Sequence, residues 1–323
     1  MIGKHEIIIE NAYLQYRFTI SRNITVIKGD SATGKTTLIE MIRQYNEEED
    51  SGISIKSDVP LEVVYGRNWK IQLDGISESI VFIDEQSRFI KSKEFAESIL
   101  GSNNYYVIVT REKLHELPYS INEVYGIRTS GKYANLKGEY TQNEFYRIYG
   151  QNPSTAFAPD VIITEDSGSG FEFWKSICNN VSCISASGKS NILNTIKEQI
   201  NNDARYLAIV DGAAFGAEME GMIEYIRYGS GNVELYAPES FEYLLLTSNL
   251  FNSAEIKDKC SHTENYADSQ KYLSWERFYT ALITEITNGT KMQYSKDRLN
   301  MFYLSERNKK IILSKLPDQL KFK

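Results

Sequence analysis

The sequence predicts an α/β protein in two halves: a first sheet organised around a glycine-bounded loop, then a doubly wound parallel sheet with a helical C-terminal tail. Three observations predict it. The first is a strand–loop–helix. Ile24-Thr25-Val26-Ile27 is apolar and β-branched, Gly29-Asp30-Ser31-Ala32-Thr33-Gly34-Lys35-Thr36 is the loop, and Thr37-Leu38-Ile39-Glu40-Met41-Ile42 starts a helix. The second is a regular alternation of short apolar runs with helical runs over residues 161–250, the pattern of a parallel sheet covered on both faces. The third is a broken polar stretch over 140–160, containing Gly150-Gln151-Asn152-Pro153-Ser154 and Pro159. With 323 residues, two domains are expected, since single cores stop growing near ~250–300 residues. They are placed at 1–145 and 146–323.

Composition narrows the class. Apolar residues make up 41% of the chain and charged residues 24%, enough for real cores, and the net charge of -7 gives no global attraction to nucleic acid. Cys178, Cys183 and Cys260 are an odd count without zinc spacing, which predicts buried free thiols in a reducing compartment. His5, His115 and His262 are scattered, against a histidine metal centre. Met1 to Glu6 lacks a secretory layout and no apolar run approaches ~18 residues, so a soluble cytoplasmic protein with no membrane span is expected.

In the first half, Glu6-Ile7-Ile8-Ile9-Glu10 and Tyr16-Arg17-Phe18-Thr19-Ile20 read as an antiparallel pair joined through Asn11-Ala12-Tyr13. The loop that follows fits G-x-x-x-x-G-K-[ST], the phosphate-binding P-loop. Its backbone N–H groups and the helix N-terminus converge on phosphate oxygens. Gly29, Asp30, Ser31, Ala32, Thr33, Gly34, Lys35, Thr36 and Thr37 would form the cradle, with Lys35 reaching the β- and γ-phosphates and the Thr36 hydroxyl on Mg²⁺. Glu47-Glu48-Glu49-Asp50 reads as a solvated helix end. Ser79-Ile80-Val81-Phe82-Ile83 is a strand ending in Asp84 and Glu85. Asp84 would hold Mg²⁺ through water, and Glu85 would polarise the attacking water, which points to hydrolysis. A helix is expected over 89–100, then a strand, Tyr105-Tyr106-Val107-Ile108-Val109, closing on Thr110-Arg111. Residues 123–127 and 132–136 read as a final hairpin about Ser130-Gly131.

An antiparallel pair feeding a P-loop strand resembles the start of ABC-type ATPases. The resemblance implies an aromatic, Tyr13 or Tyr16, against adenine. It also puts Arg111 where that family has a histidine that senses the γ-phosphate. No Leu-Ser-Gly-Gly-Gln signature precedes Asp84. Leu73-Asp74-Gly75-Ile76-Ser77 is a poor substitute, so the sandwich dimer which that signature completes is not implied. ATP is expected over GTP because no Asn-Lys-x-Asp segment occurs.

In the second half, strands are expected at 161–164, 181–185, 206–210 and 233–236, with helices at 171–180, 191–200, 215–228 and 241–250. Glu165-Asp166 closes the first strand and Asp211 the third. Carboxylates meeting at strand ends form a hard-oxygen site suited to Mg²⁺ or Mn²⁺. Over 161–237 this pattern resembles the TOPRIM domain of topoisomerases, primases and OLD-type nucleases, as does Ser185-Ala186-Ser187-Gly188-Lys189-Ser190-Asn191. The resemblance implies catalytic and metal-ligating roles for Glu165 and Asp211. The chain departs from the family at Asp166, where glycine is usual, at Ser169, where another acid is usual, and at Ala213, in place of the second aspartate of Asp-x-Asp. Asp166, Asp160 and Glu218 are candidate replacements. A helix cap for Glu165 and a turn for Asp211-Gly212 are the alternative. Ser167-Gly168-Ser169-Gly170 reads as a flexible entrance loop, a plain loop, or an anion site at the next helix N-terminus. A helix over 272–286 leads to a tail with Lys291, Lys296, Arg298, Arg307, Lys309 and Lys310, which follows a phosphate backbone or forms a solvated face.

The expected function is an ATP-binding and hydrolysing protein whose nucleotide state controls a TOPRIM-like, metal-dependent nuclease domain. The alternative is an ATPase switch or scaffold whose TOPRIM-like domain is non-catalytic and binds a protein. P-loop ATPases paired with TOPRIM domains occur in OLD-family nucleases and PARIS-type antiphage systems, so the resemblance implies prokaryotic or mobile-element defence. ATP and Mg²⁺ are the implied cofactors. The implied partners are DNA or tRNA, a protein, and further copies of the chain.

Overall fold

A computed structural model describes residues 1–29, 34–129, 141–150, 152–153, 155–178, 181–200, 203–229 and 232–322. The chain divides into two units. Unit 1 is Met1–Tyr149 with Glu264–Ser274, and unit 2 is Gly150–Thr263 with Trp275–Lys323.

Unit 1 opens with β1 (His5–Glu10) and β2 (Leu14–Ile20), antiparallel with His5 opposite Ile20. In β2, Tyr16, Phe18 and Ile20 are buried while Arg17 and Thr19 are exposed, the period-2 alternation of a half-buried strand. β3 (Ile24–Ile27) is buried at every residue and leads to α1 (Lys35–Glu47). β4 (Ser54–Lys56), β5 (Leu61–Val64), α2 (Trp69–Asp74), β6 (Ile80–Ile83), α3 (Lys93–Ile99), β7 (Tyr105–Val109), β8 (Val124–Thr129) and β9 (Thr141–Arg147) follow. The nine strands form one mixed, curled sheet in the order β4-β1-β2-β9-β8-β3-β7-β6-β5. β5, β6, β7, β3 and β8 run parallel. Continuous burial of β3, β6 and β7 is what a parallel sheet covered on both faces requires.

In the sheet β9 and β8 stand between the antiparallel pair and the P-loop strand β3. Two expectations are corrected here. The partner of β8 is β9, inside the stretch expected to be a linker; residues 132–136 lie outside the described residues. β9 escapes a sequence reading because only Asn143 is fully buried in it. The helix expected over 89–100 is a 3₁₀ turn, Arg88–Lys91, then α3, which starts where Ser92 Oγ caps Phe95 N at 3.1 Å. Glu264–Ser274 also belongs to unit 1: Asn23 Nδ2 donates to Tyr272 O (2.9 Å) and Ser269 Oγ to Ser102 O (3.0 Å).

Unit 2 alternates β10 (Val161–Thr164), α4 (Ser169–Ile177), β11 (Ser182–Ser185), α5 (Ile192–Gln199), β12 (Arg205–Ile209), α6 (Met219–Tyr228), β13 (Asn232–Tyr236) and α7 (Phe241–Thr247). Its four strands are all parallel, in the order β11-β10-β12-β13. Then come α8 (Ala254–Ser261), α9 (Trp275–Thr287), α10 (Met301–Leu304) and α11 (Glu306–Leu313). α9 buries Phe278, Tyr279, Leu282 and Ile283, the spacing of one helix face, and packs on α7. The chain holds no disulfide at Cys178, Cys183 or Cys260; only Cys260 is fully buried. Among the described residues no helix is long and apolar enough to cross a membrane.

Gly34 ties β2 to the start of α1. It adopts φ 88°, and its carbonyl accepts the Tyr16 hydroxyl at 2.6 Å. A Cβ at Gly34 would lie 2.7 Å from Tyr16 Oη. Tyr16→Phe is expected to lower stability by about 1 kcal/mol. Gly34→Ala is expected to cost roughly 1–3 kcal/mol through backbone strain alone, and more through the clash. Thermal and denaturant unfolding of the two variants measures both.

Candidate functional site

The parallel strands of unit 1 bring its candidate residues to one edge. Ile27 of β3 is level with Val109 of β7, and Ile108 of β7 with Ile83 of β6. Gly29, Thr110-Arg111 and Asp84-Glu85 therefore emerge side by side. With strands ~4.8 Å apart, the two carboxylates leave the sheet about 10 Å from the P-loop strand. This is the edge at which open α/β sheets place ligands.

The N-terminus of α1 faces that edge. Its N-cap residue, Gly34, has no side chain to cap it, and no acid stands in its first turn, so among the described residues its leading N–H groups and positive dipole end are left to favour an anion. Lys35, the first residue of α1, is 5% exposed, and its Nζ donates to Gly29 O at 2.8 Å. Gly29 sits at φ 134°, a backbone state that favours glycine. Thr36 and Thr37 are exposed on the first turn. Asp30, Ser31, Ala32 and Thr33 lie outside the described residues.

Asp84 accepts Glu85 N on Oδ1 (2.8 Å) and Ser87 N on its carbonyl (3.0 Å), a tight turn that fixes where the two acids leave β6. Glu85 Oε1 lies 2.7 Å from Arg111 Nε. The expected base and the residue in the γ-phosphate-sensing position are thus paired. Of the two tyrosines considered for adenine, Tyr16 is fully buried and props the loop at Gly34, so it cannot stack on a base; Tyr13 is 80% exposed.

In unit 2, β10 and β12 are parallel neighbours with Thr164 level with Ile209, so Glu165 and Asp211 emerge together. Asp211 N donates to Glu165 Oε2 at 3.0 Å, and Phe241 N to Asp211 Oδ1 at 3.2 Å. Asp166 Oδ2 accepts Gly170 N (3.1 Å) in the first turn of α4. Glu242 of α7 is 2% exposed. Its Oε1 accepts the Tyr294 hydroxyl (2.8 Å), which also contacts Ser169 Oγ (2.7 Å). Its Oε2 is buried without a partner. Lys296 Nζ pairs with Glu276 of α9. Glu165, Asp166, Asp211, Glu242 and Lys296 line one cavity of about 20 Å³.

The electrostatics follow from this crowding. Burial pushes the Glu165 carboxyl up to about 7; the bond from Asp211 N–H opposes the shift and the Glu276 charge adds to it. Burial, then the charges of Glu276, Glu165 and Glu242, hold Asp211 well above the usual carboxylate range. For Lys296, burial works against the charged form, but Glu276 and Glu242 outweigh it and raise its pKa.

The structure thus brings Glu165 and Asp211 together and corrects what surrounds them. Asp160 pairs with Arg205 (2.9 Å) at the opposite end of the sheet, and Glu218 does not line the cavity. Ser169 and Gly170 are buried in α4, not part of an open entrance loop. Lys296, expected in a solvated or phosphate-following tail, lines the cavity. Glu242, Glu276 and Tyr294 carry no motif. The available signal was Glu242 inside the apolar run Phe241, Leu244, Leu245, where a carboxylate must be buried. Among the described residues, no three Asp, Glu, His or Cys side chains are grouped to hold a metal ion. No protein-family model, no curated protein and no solved structure matches this chain.

A carboxyl whose folded pKa lies above its unfolded value of about 4.5 binds more protons in the native state, so folding loses stability as pH rises from about 4.5 to about 7. Glu165→Gln removes that dependence. Relative to wild type, it is expected to gain roughly 1–3 kcal/mol between pH 5 and pH 8. Denaturant unfolding of both proteins at the two pH values gives the difference.

Proposed function

We propose that unit 1 binds ATP with Mg²⁺ and hydrolyses it. The observation that carries this reading is the shared sheet edge: an uncapped helix N-terminus with a buried lysine, and a carboxylate pair two strands away. The residues present fit the nucleotide. Lys35 would exchange the Gly29 carbonyl for the β- and γ-phosphate oxygens, which are stronger acceptors. Thr36 and Asp84 would hold Mg²⁺, which screens phosphate charge when bound. Glu85 would take the proton of the attacking water. Arg111 is within reach of Glu85 and stands on the strand between it and the loop, so it would turn to the γ-phosphate as a fork donor.

For unit 2 the best-supported reading is a TOPRIM-like module without catalysis, whose exchange with a protein partner follows the nucleotide state of unit 1. The absence of a third grouped ligand among the described residues supports it. The juxtaposition of Glu165 and Asp211 favours a second reading, a metal-dependent nuclease acting on DNA or tRNA. By resemblance, either belongs to antiphage defence.

Lys35→Ala is expected to abolish ATP binding. Glu85→Gln is expected to keep binding and lower turnover by about 10²–10⁴-fold. Equilibrium binding and phosphate release distinguish the two. Incubation of plasmid DNA, single-stranded DNA and tRNA with Mn²⁺, with and without ATP, is expected to give no cleavage. Cleavage lost in Glu165→Ala would establish the nuclease instead.

A further inference from the structure

We infer that the carboxylate pocket of unit 2 is neutralised by the ammonium group of Lys296, in the place where the TOPRIM resemblance implies a divalent metal ion. This inference concerns unit 2 alone and does not rest on ATP hydrolysis in unit 1.

The pocket gathers Glu165, Asp166, Asp211 and Glu242, with Glu276 bound to Lys296 Nζ. Carboxylates gathered in one cavity repel one another, and a partly buried cluster takes up protons or a cation. Lys296 is the cation that lines the cavity. Its backbone is fixed on both sides. Ser169 N donates to Lys296 O at 2.9 Å. Tyr294, two residues earlier, is held by Glu242, Ser169 and a bond from its own N to Thr287 Oγ1 (2.9 Å). Leu299, three residues later, donates its N–H to Glu172 Oε2 at 2.6 Å. Gly168 belongs to the same fit, since a Cβ there would collide with the Lys296 carbonyl oxygen. The backbone of the lysine is therefore carried to the rim of the pocket by a stitched segment, and its Nζ rests on Glu276.

The residues do not fit a resident Mg²⁺. With Lys296 over them, the described side chains present no three grouped ligands. Mg²⁺ demands near-octahedral oxygens and keeps several waters. A cavity of about 20 Å³ has room for about one. An ammonium is a compact charge with three donors and needs no such shell. Glu242, whose Oε2 is buried without a hydrogen-bond partner among the described residues, lines the same cavity. The Lys296 side chain is 46% exposed, so it covers the mouth and does not plug the floor. Removing it should open the pocket to an ion without rebuilding the sheet.

The test is Mn²⁺ titration of the full chain without nucleotide, read as loss of the free-ion paramagnetic resonance signal. Wild type and Lys296→Arg are expected to show no Mn²⁺ site below about 1 mM that depends on Glu165. Lys296→Met, and separately Lys296→Gln, are expected to bind Mn²⁺ at least ~10-fold more tightly than wild type, and Lys296→Met/Glu165→Gln is expected to lose that gain. A submillimolar site in wild type that disappears in Glu165→Gln would overturn the inference and make the pocket a metal centre. A folded Lys296→Met or Lys296→Gln that gains no affinity would overturn it as well, because the lysine would not be what occupies the place. The wild-type arm stands even where a Lys296 variant fails to fold.

Discussion

Parallel strands send every carboxyl-terminal end of a sheet to the same edge, and both units of this chain place their candidate chemistry there. A residue at that edge needs no sequence proximity to its partner. Gly29 and Glu85 are 56 positions apart, and Glu165 and Asp211 are 46, yet each pair leaves the sheet on the same side because the intervening helix returns the chain to the start of the next strand. The strands are four or five residues long and buried throughout where they matter, so the geometry of the edge is set by the core and not by the loops that hang from it.

The two edges carry opposite electrostatics. In unit 1 the fixed features are positive: an uncapped helix N-terminus and Lys35 resting on a backbone carbonyl, a neutral acceptor that a phosphate outcompetes. In unit 2 they are negative, and the balancing charge comes from the chain itself. A buried carboxylate has three outcomes: it is protonated, it is paired, or it binds a metal. Glu165 and Asp211 move toward the first, and Glu276 and Lys296 take the second.

What the sequence disclosed follows from how locally each feature is encoded. The strand–loop–helix at Gly29 and the alternation from β10 to α7 were legible because each is a contiguous run with its own period. β9 was not, because a strand with one fully buried residue has no apolar pattern to read. Tyr16 and Tyr13 looked equivalent as aromatics before the P-loop. Only their places in the fold separate them: Tyr16 is on the buried face of β2, and Tyr13 lies in the turn before that strand, exposed. Lys296 was invisible for another reason. It sits in a basic tail with five similar cations, and what singles it out is the fit of Gly168 and Tyr294 around it, which is tertiary.

The path of the chain joins the two edges in a way that neither sheet reveals alone. After α8 the backbone leaves unit 2, runs through Glu264–Ser274 in unit 1, and returns as α9. In unit 1 that segment is bound to Asn23, which immediately precedes the P-loop strand, and to Ser102, in the turn before β7. In unit 2 the first turn of α9 carries Glu276, two residues past Ser274 and paired with Lys296. Ser274 and Trp275 are therefore the junction at which a segment bound in unit 1 passes into the helix that carries Glu276. Connectivity becomes coupling only where some element has two arrangements to choose between. Lys296 shows one arrangement, paired with Glu276.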